Sequence, residues 1–264
     1  MASTANLGRA VVAVKTDLDA YAERYEFAKL ERRDGILLVE LHTNSEPLVW
    51  SEVVHRELSR LFYDIGADRE NAVVILTGAG DRFIGDIAAG SWDGDKGEPT
   101  KMNREAKQIL YSLLDIDVPV VGAVNGPVRV HSELALLSDI VLASETALFQ
   151  DAAHFEHGAV PGDGVHTLFP MWLGPNRGRY FLLMGQEIDA REALSLGLVA
   201  EVLSPERLRD RAWEVAERVA ARPRVVTRLT RLALTLQLKR ALHEDLQEGC
   251  VLELLAIARA STEG

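Results

Sequence analysis

Short apolar runs alternating with segments of helical spacing constrain this chain most. Residues 72–76 form one such run, ended by the turn Thr77-Gly78-Ala79-Gly80. Residues 119–124 form a second, ended by Asn125-Gly126-Pro127, and residues 140–143 a third. A fourth, Gly35-Ile36-Leu37-Leu38-Val39-Glu40-Leu41, follows the charged turn Arg32-Arg33-Asp34. Runs this brief, bounded by turn residues, read as buried strands. Between them, residues 52–65 and 104–114 repeat apolar side chains at helical spacing. Strand and helix alternation of this kind predicts an α/β layer fold.

The texture changes after Pro205. Residues 206–221, 225–242 and 245–260 read as three amphipathic helices with almost no strand signal between them. The expected organisation is a core over residues 1–200 and a helical region over 201–264. The short linker argues against independent folding of the second part.

Composition narrows the function classes. A net charge of -11 argues against general binding to nucleic acid or an anionic membrane, because phosphate contacts need clustered Lys and Arg. The arginines of residues 222–231 read as a solvated helix face. Cys250 is the one cysteine and has no internal disulfide partner. The apolar stretch at residues 10–14 is too short for a signal peptide or a membrane span. The expectation is a soluble, cytoplasmic protein.

The stretch Pro119-Val120-Val121-Gly122-Ala123-Val124-Asn125-Gly126 resembles the strand-and-turn signature of the crotonase (enoyl-CoA hydratase/isomerase) superfamily. It is followed by Ser138-Asp139-Ile140-Val141-Leu142-Ala143 and by Ala147-Leu148-Phe149. Further on, Leu182-Leu183-Met184-Gly185-Gln186-Glu187-Ile188-Asp189-Ala190 leads into Ala193-Leu194-Ser195-Leu196-Gly197-Leu198-Val199 in the family's order. The likeness spans roughly residues 25–260. It implies a spiral of β-β-α turns followed by helices that take part in trimer formation, and so a homotrimer or a dimer of trimers.

Departures from that pattern carry the functional reading. Family members follow the first turn with Gly-Ala-Asp, which supplies one backbone N–H of an oxyanion hole. Here the residues are Phe83-Ile84-Gly85-Asp86-Ile87-Ala88. The family's second donor comes from a glycine run, replaced here by Pro127-Val128-Arg129-Val130-His131-Ser132-Glu133. A backbone that needs glycine to approach an oxygen closely has acquired an imidazole. Aligning on Pro161-Gly162 also puts His154 where hydratases carry a catalytic glutamate.

This pattern resembles the 6-oxocamphor hydrolase group, the β-diketone hydrolases. The resemblance implies His131 in the rebuilt turn, a His154–Asp163 pair, Trp50 in the N-terminal region and Glu253 in the last helix. Hydrolysis of a β-diketone needs a base for water, a role suited to an imidazole with an ordinary pKa near 6.5. It also needs a carboxylate to orient that base and donors for charge developing on oxygen. His154 is the expected base and Asp163 its orienter. His131 is expected to donate to the enolate oxygen, and Trp50, whose indole N–H only donates, to hold a substrate carbonyl. Glu253 is assigned a second contact to the basic histidine by resemblance alone.

Plainer readings stand beside these. His42, His55 and His243 read as structural hydrogen-bonding groups, while His157 and His166 are left open. By itself Asp163 is an ordinary turn aspartate, Trp50 a core or rim residue, and Glu253 a solvated helix residue. His154, His157 and His166 with Asp151 and Asp163 also permit a metal site, although their spacing matches no strong zinc pattern. The expectation is no metal and no cofactor, and a small diketone as substrate. Two alternatives remain: an acyl-CoA hydratase or isomerase using Glu133, and a non-catalytic crotonase-like module.

Overall fold

The computed structural model describes residues 17–88 and 99–263; the apolar stretch at residues 10–14 lies outside them. The chain begins with α1 (Leu18–Ala22) and a hairpin of β1 (Ala28–Arg33) and β2 (Ile36–Leu41). Asp34 and Gly35 connect the two strands with φ of 51° and 80°. Left-handed conformation at both positions matches the right-handed twist of a two-residue hairpin. Arg32 and Arg33, expected in a turn, are therefore strand residues. The sequence Ala-Lys-Leu-Glu-Arg-Arg hides β1 because an edge strand buries only alternate side chains, and weakly here.

Next come α2 (Glu52–Ala67), β3 (Val73–Gly78), α3 (Pro99–Asp115), β4 (Val120–Val124), α4 (Ser132–Leu136) and β5 (Ile140–Ser144). A short β6 (Leu148–Phe149), a single 3₁₀ turn (Phe155–His157), α5 (Val165–Leu173), α6 (Pro175–Met184) and β7 (Ile188–Asp189) follow. The chain ends with α7 (Ala190–Ser195), β8 (Glu201–Leu203), α8 (Pro205–Ala220) and α9 (Arg224–Glu263).

The main sheet has the order β1-β2-β3-β4-β5-β8. Only the β1–β2 pair in it is antiparallel; β2 through β8 pair in parallel. Every residue of β3 and β4 is buried, so their uninterrupted apolar runs are what a sheet covered on both faces requires. Ile36, Leu38, Val73, Ile75, Val121 and Ala123 face one way, against Leu208, Ala212 and Ala216 of α8. Leu37, Val39, Leu41, Val74, Leu76 and Val120 face the larger core.

Successive turns of the chain also stack on one another. Parallel bridges join Trp50 to Ile87, Ile84 to Val128, and Val128 to Phe149. Asn125 ties two of these turns together: its side chain donates to the carbonyls of Gly80 and Arg82 at 2.9 and 3.1 Å and accepts from the Gly78 amide at 3.2 Å. This stacked column brings Trp50, the segment leading to His131, and the segment leading to Asp151 side by side.

The expected boundary at 200–201 falls just before β8, which extends the sheet beside β5. The helical region thus begins at Pro205, and three residues are too few for β8 to announce itself in sequence. The two helices expected at 225–242 and 245–260 are one helix of 40 residues. Nothing between them breaks a helix, and Gly249 is accommodated inside it. Arg231 anchors α9: it is buried, ion-pairs with Asp139 at 2.7 Å, and donates to the carbonyls of Leu113, Leu114 and Ile116 at the end of α3. The other end of α9 reaches the histidine cluster.

Candidate active site

Trp50 is fully buried at the base of the stacked column. Its ring lies over the His131 imidazole with centroids 3.9 Å apart and planes inclined at 37°. His55, on α2, meets the same indole edge-on at 5.9 Å. The indole N–H is buried and has no acceptor among the described residues. A buried donor without a protein partner is able to donate to a water or a ligand atom.

His131 precedes α4 with φ of 52°. That left-handed conformation disfavours a residue with a Cβ by about 1–2 kcal/mol, and it falls where the family pattern has glycine. Its Nδ1 is 2.8 Å from Glu133 Oε1 and 3.5 Å from Asp163 Oδ2.

His154 opens the 3₁₀ turn after β6. Nδ1 donates to Asp151 Oδ1 at 2.6 Å, while Nε2 lies 3.4 Å from Asp163 Oδ2 and 3.9 Å from Glu253 Oε1. Asp163 thus sits between the two imidazoles. Its loop is held against α9 by a close glycine contact: a Cβ on Gly162 would lie 2.2 Å from the Gly249 carbonyl oxygen and 2.8 Å from Glu253 Cβ. Only glycine allows the approach that brings Asp163 and Glu253 to the same side of His154.

Charge in this buried group is distributed unevenly. Burial disfavours imidazolium at His154, but the Asp163 charge and the bonds to Asp151 and Asp163 outweigh it and hold the imidazole well above its usual pKa. His131 is raised as well, its burial overcome by Glu133 and Asp163. Burial pushes Asp163 up, yet His154 and His131 together hold it below the usual carboxylate range. Burial dominates at Glu133, which is raised, and at Glu253, which burial and the Asp163 charge push up to about 8. Asp163 is therefore the charged partner of both histidines. The ordinary histidine pKa expected for the base gives way to a more basic one.

All five residues singled out from sequence meet here, in a chain of contacts running Trp50, His131, Asp163, His154, Glu253. Two further groups belong with them. Asp151 makes the shortest contact to His154, and its place three residues before that histidine was the available signal. His55, read as structural, stands against Trp50 with Glu105 3.8 Å from its Nδ1. His243 and His157 are exposed and lie outside the cluster. His166 is turned to the Pro161 carbonyl at 3.0 Å. The histidines thought to permit a metal are thus not assembled. Among the described residues, His131, Glu133 and Asp163 have ligand atoms within 4.8 Å of one another, but the His131 Nδ1 is already bonded to Glu133.

The amide of Gly85 donates to Leu48 O at 2.7 Å and that of Ala88 to Trp50 O at 2.8 Å. These bonds pair residues 85–88 with the chain at Leu48 and Trp50. A cleft of about 960 Å³ lined by Arg56, Lys101 and Glu105 lies at α2 and α3, and none of Trp50, His131, His154 or Asp163 lines it. The convergence of titratable groups, not cleft size, marks the site.

The family model for enoyl-CoA hydratase/isomerase matches residues 31–254. The chain belongs to that family, the crotonase superfamily. A curated relative, carnitinyl-CoA dehydratase from Proteus mirabilis, is 30% identical over 197 residues, covering 72% of this chain and 73% of the relative. Among solved structures, a β-diketone hydrolase from the cyanobacterium Anabaena sp., bound to (S)-3-oxocyclohexyl acetic acid, is 46% identical. It superposes with a TM-score of 0.87 over 89% of this chain and 96% of its own. An enoyl-CoA hydratase/isomerase from Mycobacterium paratuberculosis is 25% identical, with a TM-score of 0.81 over 88% of this chain and 93% of its own. The α/β crotonase fold is therefore shared with enzymes of both kinds.

Proposed function

We propose that this crotonase-superfamily enzyme hydrolyses a carbon–carbon bond in a cyclic or bicyclic β-diketone to give a keto acid. The observation that carries the reading is His154, buried and flanked by carboxylates, facing a His131–Trp50 pair whose indole N–H lacks an acceptor among the described residues. The likeness to the Anabaena β-diketone hydrolase supports it.

In this reaction the neutral His154 Nε2 takes a proton from water while hydroxide adds to one carbonyl carbon. Trp50 donates to that carbonyl's developing oxyanion. Collapse of the tetrahedral intermediate breaks the bond to the central carbon, and the electron pair passes into the enolate of the second carbonyl. His131 donates to the enolate oxygen. The proton held by His154 returns to carbon, so that diketone and water balance keto acid. Asp163 stabilises the imidazolium between the two steps, and Glu253 borders the water on its other side. No cofactor or metal takes part in this scheme.

The curated relatives favour a second reading, an acyl-CoA hydratase or isomerase with Glu133 as acid and base. Glu133 is buried and bonded to His131, which counts against its acting as a free acid and base. A panel of cyclic 1,3-diketones and acyl-CoA thioesters, incubated without added cofactor, separates the readings. Diketone cleavage is expected; thioester turnover without diketone cleavage would defeat the proposal.

Val226, Leu229, Leu236, Leu252 and Leu255 of α9 are exposed. So much apolar surface on one helix supports assembly with further copies of the chain as a trimer, or as paired trimers. The described residues include no helix long and apolar enough to cross a membrane. The net charge of -11 counts against general binding to nucleic acid.

A further inference from the structure

We propose that Asp151, rather than Asp163, is the residue that sets the tautomer of His154 and so makes Nε2 the basic nitrogen. The inference rests on His154 acting as the base. Carboxylates face both ring nitrogens, and an ionised carboxylate only accepts. The two contacts are not equivalent. Asp151 Oδ1 lies 2.6 Å from Nδ1, the length of a strong charge-assisted bond, whereas Asp163 Oδ2 lies 3.4 Å from Nε2. When the imidazolium gives up one proton, the proton leaves from the longer contact. Nδ1 keeps its hydrogen, and Nε2 is freed toward Asp163 and Glu253, where substrate water belongs.

Asp151 is also firmly placed. The amides on either side of it are bonded to the segment leading to His131: Gln150 to Val128 O at 3.2 Å and Ala152 to Arg129 O at 2.8 Å. The Gln150 side chain donates to Gly185 O at 2.8 Å and accepts from Arg129 at 3.0 Å. Asp151 is 2% exposed, and its Oδ2 has no partner among the described residues. The His154 Nδ1–H is thus the bond that compensates its buried charge, and losing that bond from either side is unfavourable. Asp163, shared between His131 and His154, serves instead as counter-ion to both. Asp151 is a positioning residue, acting on substrate only through His154.

The ring nitrogens of His154 report this directly. In protein carrying ¹⁵N-histidine, at a pH where His154 is neutral, the spectrum should show Nδ1 protonated and Nε2 bare, with a low-field N–H resonance for the bond to Asp151. That resonance should persist in Asp163→Asn and be lost in Asp151→Asn. Diketone turnover by Asp151→Asn should fall by about 10²–10⁴ in kcat with KM little changed, because the reacting nitrogen then carries the hydrogen. A wild-type spectrum with Nε2 protonated and Nδ1 bare overturns the inference without any variant, as does a resonance that follows Asp163 instead. The spectra need no substrate. A failed diketone panel would therefore remove the proposed reaction and leave the tautomer result standing.

Discussion

Replacing Trp50 by Phe separates what this side chain does for the fold from what it does for the reaction. The substitution keeps an aromatic ring over His131, now 3.9 Å from the indole centroid, but removes an N–H without an acceptor among the described residues. Loss of the pyrrole part of a fully buried ring forfeits roughly 1–2 kcal/mol of apolar burial, more where a cavity persists. Removing an unsatisfied buried donor returns about 1–3 kcal/mol. The two offset each other, so folding stability should fall by no more than about 1 kcal/mol and could rise by about 2 kcal/mol, in contrast to the usual outcome for a trimmed aromatic core residue. The kinetic effect should be larger. Deleting one donor to a developing oxyanion lowers kcat by about 10²–10³, equivalent to about 2.7–4 kcal/mol. Urea denaturation at fixed protein concentration and steady-state kinetics on a cleaved diketone measure the two effects on one preparation. A variant whose kcat/KM stays within about threefold of wild type would refute the assignment of Trp50 as a donor. A variant that loses stability and activity together would show that packing against His131 is what matters.

Three further outcomes follow from the geometry. Because His154 must be neutral to act and its pKa is held well above 6.5, kcat/KM should rise with pH through an apparent pKa on the alkaline side of 6.5. Asp163→Asn should move that limb to lower pH in whatever activity remains; a wild-type limb at or below 6.5 would contradict the electrostatic account. Gly162→Ala puts a Cβ 2.2 Å from the Gly249 carbonyl oxygen, so the Asp163 loop must separate from α9. A stability loss of about 1–3 kcal/mol is expected, with a fall in kcat; unchanged kinetics would show that this contact does not position the site. Glu253 has a folded pKa of about 8, against 4.5 as its ordinary value. The folded state therefore holds a proton that the unfolded chain releases, and stability should decline as pH rises from 4.5 to about 8. Glu253→Gln should flatten that decline in urea midpoints, and an unaltered slope would count against a protonated Glu253.

The buried strands were legible because β3, β4 and β5 are covered by packed chain and are built almost wholly of apolar residues, Thr77 and Ser144 at their ends being buried with hydrogen-bond partners. β1 was not, since a charged edge strand carries too weak an alternation and its presence depends on the Asp34-Gly35 turn. The length of α9 was also hidden: its buried positions follow whatever element lies alongside, first α3 and then the Asp163 loop, so no single apolar period runs through it. Within the site, His131 and His154 could be read because each replaces a recognisable feature of the crotonase pattern, and Asp163 only through the resemblance to the β-diketone hydrolases. Asp151 could not be ranked above Asp163, because a separation of three residues and one of nine are equally able to bring a carboxylate to an imidazole. The choice of nitrogen is a matter of tertiary geometry. His55 looked structural for a similar reason, since only the fold puts α2 behind Trp50. The raised pKa of His154 depends on two carboxylates converging from separate segments strongly enough to overcome its burial, which spacing alone does not disclose.

The central claim is that His154 activates water for carbon–carbon cleavage. Its most direct test is kcat of His154→Ala on a diketone that the wild-type protein cleaves, with circular dichroism confirming that the variant is folded. A fall of about 10²–10⁴ is predicted, the usual contribution of a positioned general base. Turnover within about threefold of wild type by the folded variant would contradict it.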